Sequence, residues 1–254
     1  MLRNGSYIVR LLAFNDNGRG FAIPAVYHVT GDAKLGNFRL DFTDLQIPLA
    51  GMPITITRSY DSLEAGRSSD FGYGWKLAIS DSDIRETTPD IGGFFSSNPY
   101  RAGTRVYITT PEGRRVGFTF QPEFAAGSLL GSAYRAKFVP DPGVYEKLSV
   151  PEGDQGFLSI GTDGTARLFL IGFGWNPDEF LVTRPDGTSY RYTQTEGLKT
   201  VVAPSGNTLT YTRDGITHTS GASIRFIRDQ QGRIAEIRDP AGKSISYAYN
   251  AAGE

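Results

Sequence analysis

Aromatic side chains are the most frequent groups in this chain that could recognise a ligand. The 254 residues include 13 tyrosines and 2 tryptophans, whose rings combine a large apolar surface with a polar edge. Tyr190 and Tyr192 form one Tyr-x-Tyr row, and Tyr247 and Tyr249 form a second near the C-terminus. Both rows could provide stacking surfaces, provided that a strand holds each pair of rings on one face.

Acidic side chains offer an alternative chemistry. A glycosidase needs two carboxyl groups that face each other across the substrate, and the candidates are Asp81, Asp83, Asp141, Glu146, Asp178 and Glu179. Paired carboxylates in loops are, however, far more often solvated turn residues. A carboxylate-dependent glycoside hydrolase stays open as an alternative, and we assign no catalytic residue.

The sequence lacks the motifs of other catalytic classes. His28 and His218 each lie beside threonines in a strand-like stretch, without a catalytic motif around them. There is no Gly-x-Ser-x-Gly elbow, His-Glu-x-x-His pair, phosphate loop or dinucleotide fingerprint. We therefore predict that the chain is not an enzyme and needs no cofactor.

Charge and cysteine usage exclude further classes of site. The 26 basic and 27 acidic residues are spread along the chain, which predicts neither nucleic-acid binding nor membrane insertion. The absence of cysteine rules out disulfides and thiolate metal sites. Asn15-Asp-Asn-Gly18 is typical of a turn or a calcium loop; because the downstream carboxylate of an EF-hand is missing, we favour a turn and predict no metal site.

Turn residues and alternating segments predict an all-β fold. The 31 glycines and 14 prolines fall at regular intervals between apolar segments. No segment shows a sustained apolar period of 3.6 residues, so long helices are not expected. No signal peptide or transmembrane segment is visible, and the chain begins and ends in mid-pattern, which we interpret as a fragment of a longer protein.

The stretch from Arg184 to Glu254 is a tandem repeat. A Pro-x-Gly triplet recurs at Pro185–Gly187, Pro204–Gly206 and Pro240–Gly242. Each triplet is followed by an alternating strand with an aromatic residue and then by a second glycine. Because one hairpin is at best marginally stable alone, the repeat predicts an antiparallel sheet of stacked hairpins.

The returning strand of the repeat has a spacing of its own. Leu198 and Val201 lie three residues apart, as do Ile234 and Ile237. Perfect alternation would place residues three apart on opposite faces of the sheet. The spacing therefore predicts a β-bulge, or a strand buried on both sides.

The last repeat carries a family resemblance. Gly232-Arg-Ile-Ala-Glu-Ile-Arg-Asp-Pro-Ala-Gly242, followed by Ile245-Ser-Tyr-Ala-Tyr-Asn-Ala-Ala-Gly-Glu254, resembles the tyrosine-aspartate (YD) repeat of bacterial RHS proteins. The same repeat occurs in teneurins and in insecticidal toxin complexes. The close resemblance covers roughly the last quarter of the chain, and a degenerate version extends back to about Arg101.

A second stretch resembles the segment that opens many RHS proteins just ahead of the repeats. It reads Thr43-Asp-Leu, then Arg58-Ser-Tyr-Asp-Ser62, then Gly72-Tyr-Gly-Trp75. Arg58 and Asp61 lie at a strand end, where such a pair could hydrogen-bond across a corner and, if exposed, would contribute only about 0–1 kcal/mol. Trp75 could lie in the core or form a sugar-stacking platform, and we favour the core.

Together these features predict three regions. Residues 1–31 form a β-hairpin that resembles the end of an immunoglobulin-like module, and residues 32–100 form the opening segment. Residues 101–254 form the YD-repeat sheet, with clear repeats over 184–254. Within it we expect strands at Arg115–Phe120 and Arg167–Ile171, whereas Pro89–Tyr100 and Gln121–Gly156 are predicted to be long loops.

The resemblance implies a structural, non-enzymatic role. RHS shells enclose or present a C-terminal effector, often a toxin, so the implied partners are that effector and neighbouring shell repeats. It also implies secretion or a cell-surface location in bacteria. The alternative is a carbohydrate-binding or cell-surface-binding module, in which the aromatic rows hold glycans through Tyr190, Tyr192, Tyr247 and Tyr249.

Overall fold

The regular secondary structure of the described residues is almost entirely antiparallel strand. The computed structural model describes residues 5–14, 20–29, 38–49, 51–87, 98–129, 131–151, 156–251 and 253. It divides into two compact units, Met1–Asn37 and Phe38–Glu254. The predicted all-β class is confirmed, and no helix within the described ranges is long and apolar enough to cross a membrane.

The strands of the described residues are numbered here in chain order. The first eight are β1 (Gly5–Phe14), β2 (Gly20–Val29), β3 (Arg39–Ile47), β4 (Ile54–Asp61), β5 (Ser68–Ser69), β6 (Gly72–Tyr73), β7 (Trp75–Leu77) and β8 (Ile84–Glu86). The next eight are β9 (Arg105–Thr109), β10 (Arg115–Phe120), β11 (Glu123–Ser128), β12 (Gly131–Arg135), β13 (Phe138–Pro140), β14 (Lys147–Ser149), β15 (Leu158–Ile160) and β16 (Ala166–Leu168). The last eight are β17 (Glu179–Thr183), β18 (Ser189–Thr193), β19 (Gly197–Val202), β20 (Thr208–Thr212), β21 (Gly215–His218), β22 (Ser223–Arg228), β23 (Ile234–Arg238) and β24 (Ser244–Ser246). Short 3-10 helices, Ser62–Glu64 and Ala78–Asp81, follow β4 and β7.

The first unit contains the predicted N-terminal hairpin. β1 and β2 pair antiparallel along their whole length, from Gly5 opposite Val29 to Phe14 opposite Gly20. The loop Asn15–Gly18, predicted as a turn rather than a calcium site, lies outside the described residues. The unit extends to Asn37, six residues beyond the predicted boundary.

The second unit contains a long sheet in chain order. Nine strands pair in the sequence β14-β17-β18-β19-β20-β21-β22-β23-β24, so each strand of the repeat pairs with its neighbours along the chain. Smaller antiparallel sheets have the orders β13-β10-β9-β8, β11-β12-β15-β16, β3-β4-β7 and β5-β6. The repeat therefore builds one continuous surface.

The Pro-x-Gly turns share one backbone geometry. In turn 184–188 the Arg184 N–H donates to the Thr188 carbonyl at 2.8 Å, and the Gly187 N–H donates to the Arg184 carbonyl at 3.0 Å. Turns 203–207 and 239–243 repeat both hydrogen bonds. Gly187 has a φ of 89°, a left-handed conformation that glycine adopts without steric cost. This type of turn, with its glycine in the left-handed region, joins adjacent antiparallel strands tightly.

The predicted β-bulges are confirmed in both returning strands. Tyr192 lies opposite Leu198 and Arg191 opposite Thr200, which leaves Lys199 without an opposite residue. The same shift between β22 and β23 leaves Ala235 without an opposite residue. Each bulge lets both apolar residues of a pair face inward, and the exposed fraction of Leu198, Val201, Ile234 and Ile237 is 9% or less.

An apolar cluster runs through the described residues of the second unit. It includes Ile54 and Phe71 of the opening segment together with Phe180, Ile224 and Ile237 of the long sheet. Burying each such side chain contributes about 1.5–3 kcal/mol. The predicted division at residue 100 has no counterpart in the packing, because β8 pairs with β9 across it.

Several predicted bounds were wrong. The stretch 121–156, predicted to be a long loop, contains β11, β12, β13 and β14, and β11 and β12 form a hairpin. Its glycines and prolines separate short strands instead of marking an irregular loop. The strand predicted over Arg167–Ile171 ends at Leu168, whereas the one over Arg115–Phe120 is confirmed. Most of the predicted loop 89–100 lies outside the described residues.

Candidate functional site

The first tyrosine row is buried. Tyr190 and Tyr192 project from β18 with exposed fractions of 2% and 0%. Tyr190 donates to the Glu112 carboxylate at 3.0 Å, and Tyr192 donates to the Thr109 carbonyl at 3.2 Å. Because β9 and the turn after it cover the row, the prediction of exposed stacking rings was wrong for both residues.

Burial also keeps these hydroxyls neutral. Desolvation raises the pKa of Tyr190, and the neighbouring Glu112 raises it further, while the hydrogen bond from Arg184 opposes the shift. Desolvation raises the pKa of Tyr192 well above its ordinary value. A neutral phenol can donate its proton, so the Tyr192 hydroxyl binds the long sheet to the end of β9 and the Tyr190 hydroxyl binds it to the turn after β9.

The second row is half-buried and contacts a different part of the chain. Tyr247 donates to the Asp44 carboxylate at 2.6 Å, and Tyr249 donates to the Ile234 carbonyl at 2.5 Å. The Arg233 guanidinium lies 4.0 Å from the centroid of the Tyr249 ring. Both residues are only half-buried, and the assignment of Tyr247 and Tyr249 to glycan binding remains a prediction.

An arginine surrounded by aromatic rings joins the opening segment to this second row. The Arg58 guanidinium donates to Asp44 through Nε at 2.5 Å and Nη2 at 3.0 Å. It lies within 6 Å of four ring centroids, a distance at which cations interact favourably with ring faces: Phe42, Phe71, Trp75 and Tyr247. Arg58 therefore pairs with Asp44, and the predicted Arg58–Asp61 hydrogen bond is replaced by a cap in which Asp61 accepts from the Leu63 N–H at 2.8 Å.

We call Asp44, Arg58 and Tyr247 the arginine latch. Asp44 accepts hydrogen bonds from both other members, and this pairing raises the pKa of Arg58. Desolvation and the bond to Asp44 raise the pKa of Tyr247. Trp75, predicted to be in the core, is half-buried and packs beside the latch, with Phe42 stacked at 6.0 Å.

A second contact lies next to the latch. Asp70 accepts from Arg228 at 2.9 Å, and the Asp70 carbonyl accepts from the Ile234 N–H at 2.6 Å. Both charged side chains are about 15% exposed, so the ion pair is shielded from solvent. The opening segment is thus bound to β22 and β23 through a side chain and a backbone group of one residue.

A cleft of about 600 Å³ lies between residues 70–82 and the strands of the long sheet. Its apolar wall includes Leu77, Leu198 and Phe226. The charged side chains around the cleft balance in sign. Three are acidic and three are basic: Asp70, Glu196 and Asp214, and Lys199, Arg213 and Arg228. Tyr211 also lines the cleft, and burial raises its pKa to about 12.

The carboxylates considered for hydrolysis are engaged in ion pairs. Asp81, Asp83, Asp141, Glu146 and Glu179 each contact a basic side chain, and these are Arg39, Lys76, Arg85, Arg105, Arg114 and Arg191. The hydrogen bond from Arg105 lowers the pKa of Asp141, the opposite of what a general acid needs. Asp178 is exposed.

Of the two histidines, His218 is the one whose side chain the structure describes. The His218 side chain is buried, and its Nδ1 accepts from the Ser220 N–H at 3.0 Å. The side chain of His28 lies outside the described residues. Within the described ranges, no three His, Asp or Glu side chains are arranged to hold a metal ion.

Sequence reasoning missed the residues that hold the opening segment in place. Asp44 and Asp70 gave no signal of their own, because a single carboxylate in a strand or turn is common. Their partners, Tyr247 and Arg228, lie 203 and 158 residues further along the chain. Only the position of Arg58 in the conspicuous Arg-x-Tyr-Asp stretch indicated that this strand end was important.

A family model matches part of the chain. Residues 32–118 match a model described as a domain of unknown function, DUF6531. That range contains the opening segment with Asp44, Arg58 and Asp70, together with β8, β9 and most of β10. A comparison with curated proteins found no match.

Proposed function

We propose that this chain is a structural, non-enzymatic segment of a large exported bacterial RHS/YD-repeat protein. In this proposal the repeats form part of a β-shell that encloses or presents a C-terminal effector such as a toxin. The opening segment binds the first repeats and holds them in position, and further repeats extend the sheet. The proposal rests on the sequence resemblance together with the topology of the long sheet.

The observation that carries the proposal is the strand order of that sheet. From β17 to β24, every two consecutive strands of the chain are paired. Such an order extends by adding hairpins without rearranging earlier ones. At the end of the sheet, Tyr247 and Tyr249 are half-buried, whereas Tyr190 and Tyr192 are buried. A following repeat would cover what the opening segment leaves exposed of the second row.

Protease protection in the full-length protein tests this function. The variant Asp44→Ala removes the acceptor shared by Arg58 and Tyr247, and Asp186→Ala, in an exposed turn, is the matched control. We expect the downstream effector to resist protease in the native protein and the control, and to be cleaved faster in Asp44→Ala. An effector cleaved in the native protein as fast as the free effector would contradict the shell.

The cleft favours a second candidate function, carbohydrate binding. Its volume of about 600 Å³ lies within the range of small-molecule sites. Its balanced charges disfavour an ionic ligand, and an apolar wall with a polar rim matches a neutral sugar. This candidate uses Tyr211 and Arg213 instead of the four tyrosines predicted from the sequence.

Titration of the chain with cellotriose, maltotriose and an N-acetylglucosamine trisaccharide tests the second candidate. Calorimetry should detect binding of at least one sugar, and Tyr211→Ala combined with Arg213→Ala should abolish it. Tyr145→Ala is the control, because Tyr145 is 75% exposed and does not line the cleft. Binding that survives the double variant would exclude the cleft as the site.

A further inference from the structure

The outer edge of β3 is open and apolar. β3 pairs with β4 on one side, and among the described strands none pairs with its other side. The exposed fractions are 59% for Phe38, 37% for Leu40 and 46% for Phe42. An edge strand with exposed apolar residues readily pairs with another strand.

The hydrogen bonds of Phe38 show which backbone N–H and C=O groups of β3 point to the open edge. The Phe38 carbonyl accepts from the Ser62 N–H at 3.0 Å, and the Phe38 N–H donates to the Ser62 hydroxyl at 2.9 Å. Both backbone groups of Phe38 therefore point toward β4. In an antiparallel strand the direction alternates, so the N–H and C=O groups of Arg39 and Asp41 point to the open edge.

The sequence of this edge is complementary to itself. Phe38-Arg39-Leu40-Asp41-Phe42 reads apolar, basic, apolar, acidic, apolar. Consider this strand paired antiparallel with the same strand of a second copy, with Leu40 opposite Leu40. Each Arg39 then lies opposite an Asp41, and each Phe38 lies opposite a Phe42. Opposite charges and apolar pairs directly across strands are the favourable combinations.

We propose that two copies of this chain associate through β3 to form an antiparallel, two-fold symmetric dimer. The residues that exchange backbone hydrogen bonds are Arg39 and Asp41 of one copy with Asp41 and Arg39 of the second copy. Leu40 faces Leu40 of the second copy on the symmetry axis, as a pair without hydrogen bonds. This register agrees with the outward direction of the Arg39 and Asp41 backbone groups.

The polar side chains of the edge are compatible with this pairing. Arg39 already contacts Asp81 and Ser59 of its own chain, but a guanidinium has five N–H donors and keeps some for a second carboxylate. Asp41 is exposed. The two ion pairs of the dimer would thus form without breaking the contacts of the monomer.

A β-bulge limits the length of the contact. The register of β3 against β4 shifts between Thr43 and Leu45, so the regular edge ends near Thr43. A partner with an unrelated sequence would have to place an acid and a base at the same two positions, whereas a second copy does so by symmetry. Because the contact is short, we expect dimerisation to depend on concentration.

Charge reversal tests the register directly. Sedimentation equilibrium of the 254-residue chain should show a monomer–dimer equilibrium. Arg39→Asp places two acids opposite each other, Asp41→Arg places two bases opposite each other, and each should weaken dimerisation at least about tenfold. The double variant Arg39→Asp/Asp41→Arg restores opposite charges and should restore the dimer.

Further variants separate this edge from other sources of association. Leu40→Lys places two lysines on the symmetry axis and should abolish the dimer, whereas Leu63→Lys, at a residue that is also 37% exposed, should leave it intact. Circular dichroism confirms that each variant is folded; if Arg39→Asp does not fold, Asp41→Arg and Leu40→Lys still decide. A monomer at all concentrations, failure of the double variant to restore dimerisation, or a dimer lost only on changing β24 would overturn the proposal.

Discussion

The two Tyr-x-Tyr rows share one spacing but differ in burial. Tyr190 and Tyr192 lie in the interior of the second unit, with their hydroxyls on Glu112 and Thr109. Tyr247 and Tyr249 follow the last strand of the sheet and are half-buried. The first row is covered by β9 and the turn after it, and the second by parts of the opening segment.

The difference teaches that the repeat sets the direction of a side chain, while its surroundings set how much that side chain stabilises. Buried rings contribute mainly through the apolar area removed from water. A half-buried row depends more on hydrogen bonds and cation–ring contacts, here those of Asp44, Arg58 and Arg233. Two rows with the same Tyr-x-Tyr spacing should therefore respond differently to the same substitution.

The largest effect is expected from truncating the first row. Tyr192→Ala removes a fully buried ring and should lower the free energy of unfolding by about 3–5 kcal/mol. Tyr249→Ala should cost clearly less, because this residue is only half-buried. Urea denaturation of the two variants measures the difference. Equal losses would show that burial in the two rows does not differ in solution.

A smaller loss is expected from breaking the arginine latch. Arg58→Ala leaves the Asp44 carboxylate, which is 12% exposed, without its counter-charge, and should cost about 1–3 kcal/mol. Arg58→Lys keeps the charge but not the bidentate geometry. Its free energy of unfolding should lie between those of the native chain and Arg58→Ala. Urea denaturation gives the values, and Arg67→Ala, whose side chain is 82% exposed, is the control.

The local chemistry of both rows could be predicted from the sequence. The Pro-x-Gly turns need a left-handed residue, which glycine supplies at Gly187, so the triplet alone indicated the turn. The three-residue spacing of Ile234 and Ile237 indicated the bulge, because only an extra residue puts both side chains on one face. These predictions depend on neighbours within about ten residues.

What covers each row could not be predicted. The contact from Tyr192 to Thr109 spans 83 residues, and that from Tyr247 to Asp44 spans 203. Alternation is the same for an exposed row and a buried one, so the pattern of Tyr190 and Tyr192 gave no sign of the strand above it. For the same reason, Asp44 and Asp70 could not be recognised as the residues that bind the opening segment to the repeats.

Titration at high pH should probe the second row selectively. Desolvation raises the pKa of Tyr249 from 10.0 to about 12, so its stabilising effect is fully present below pH 10. Between pH 10 and about 12 the unfolded chain ionises first, and stability falls as pH rises. Tyr249→Phe removes this group, so its free energy of unfolding should fall less steeply over that window than that of the native chain. Parallel pH profiles would show that Tyr249 titrates alike in the folded and unfolded chain.

The smallest effect is expected on the outer face of the strand that carries the first row. Arg191 lies between Tyr190 and Tyr192, points to the opposite face, and forms an ion pair with Glu179 in which the side chains are 46% and 36% exposed. Exposed pairs of this kind contribute about 0–1 kcal/mol, so Arg191→Ala should change the free energy of unfolding by about 0.5 kcal/mol or less. Urea denaturation of Arg191→Ala and Tyr192→Ala, measured side by side, compares two neighbouring residues of the same strand. If the two losses were similar, the stability of β18 would not come from its buried tyrosines, and the contrast between the rows would fail.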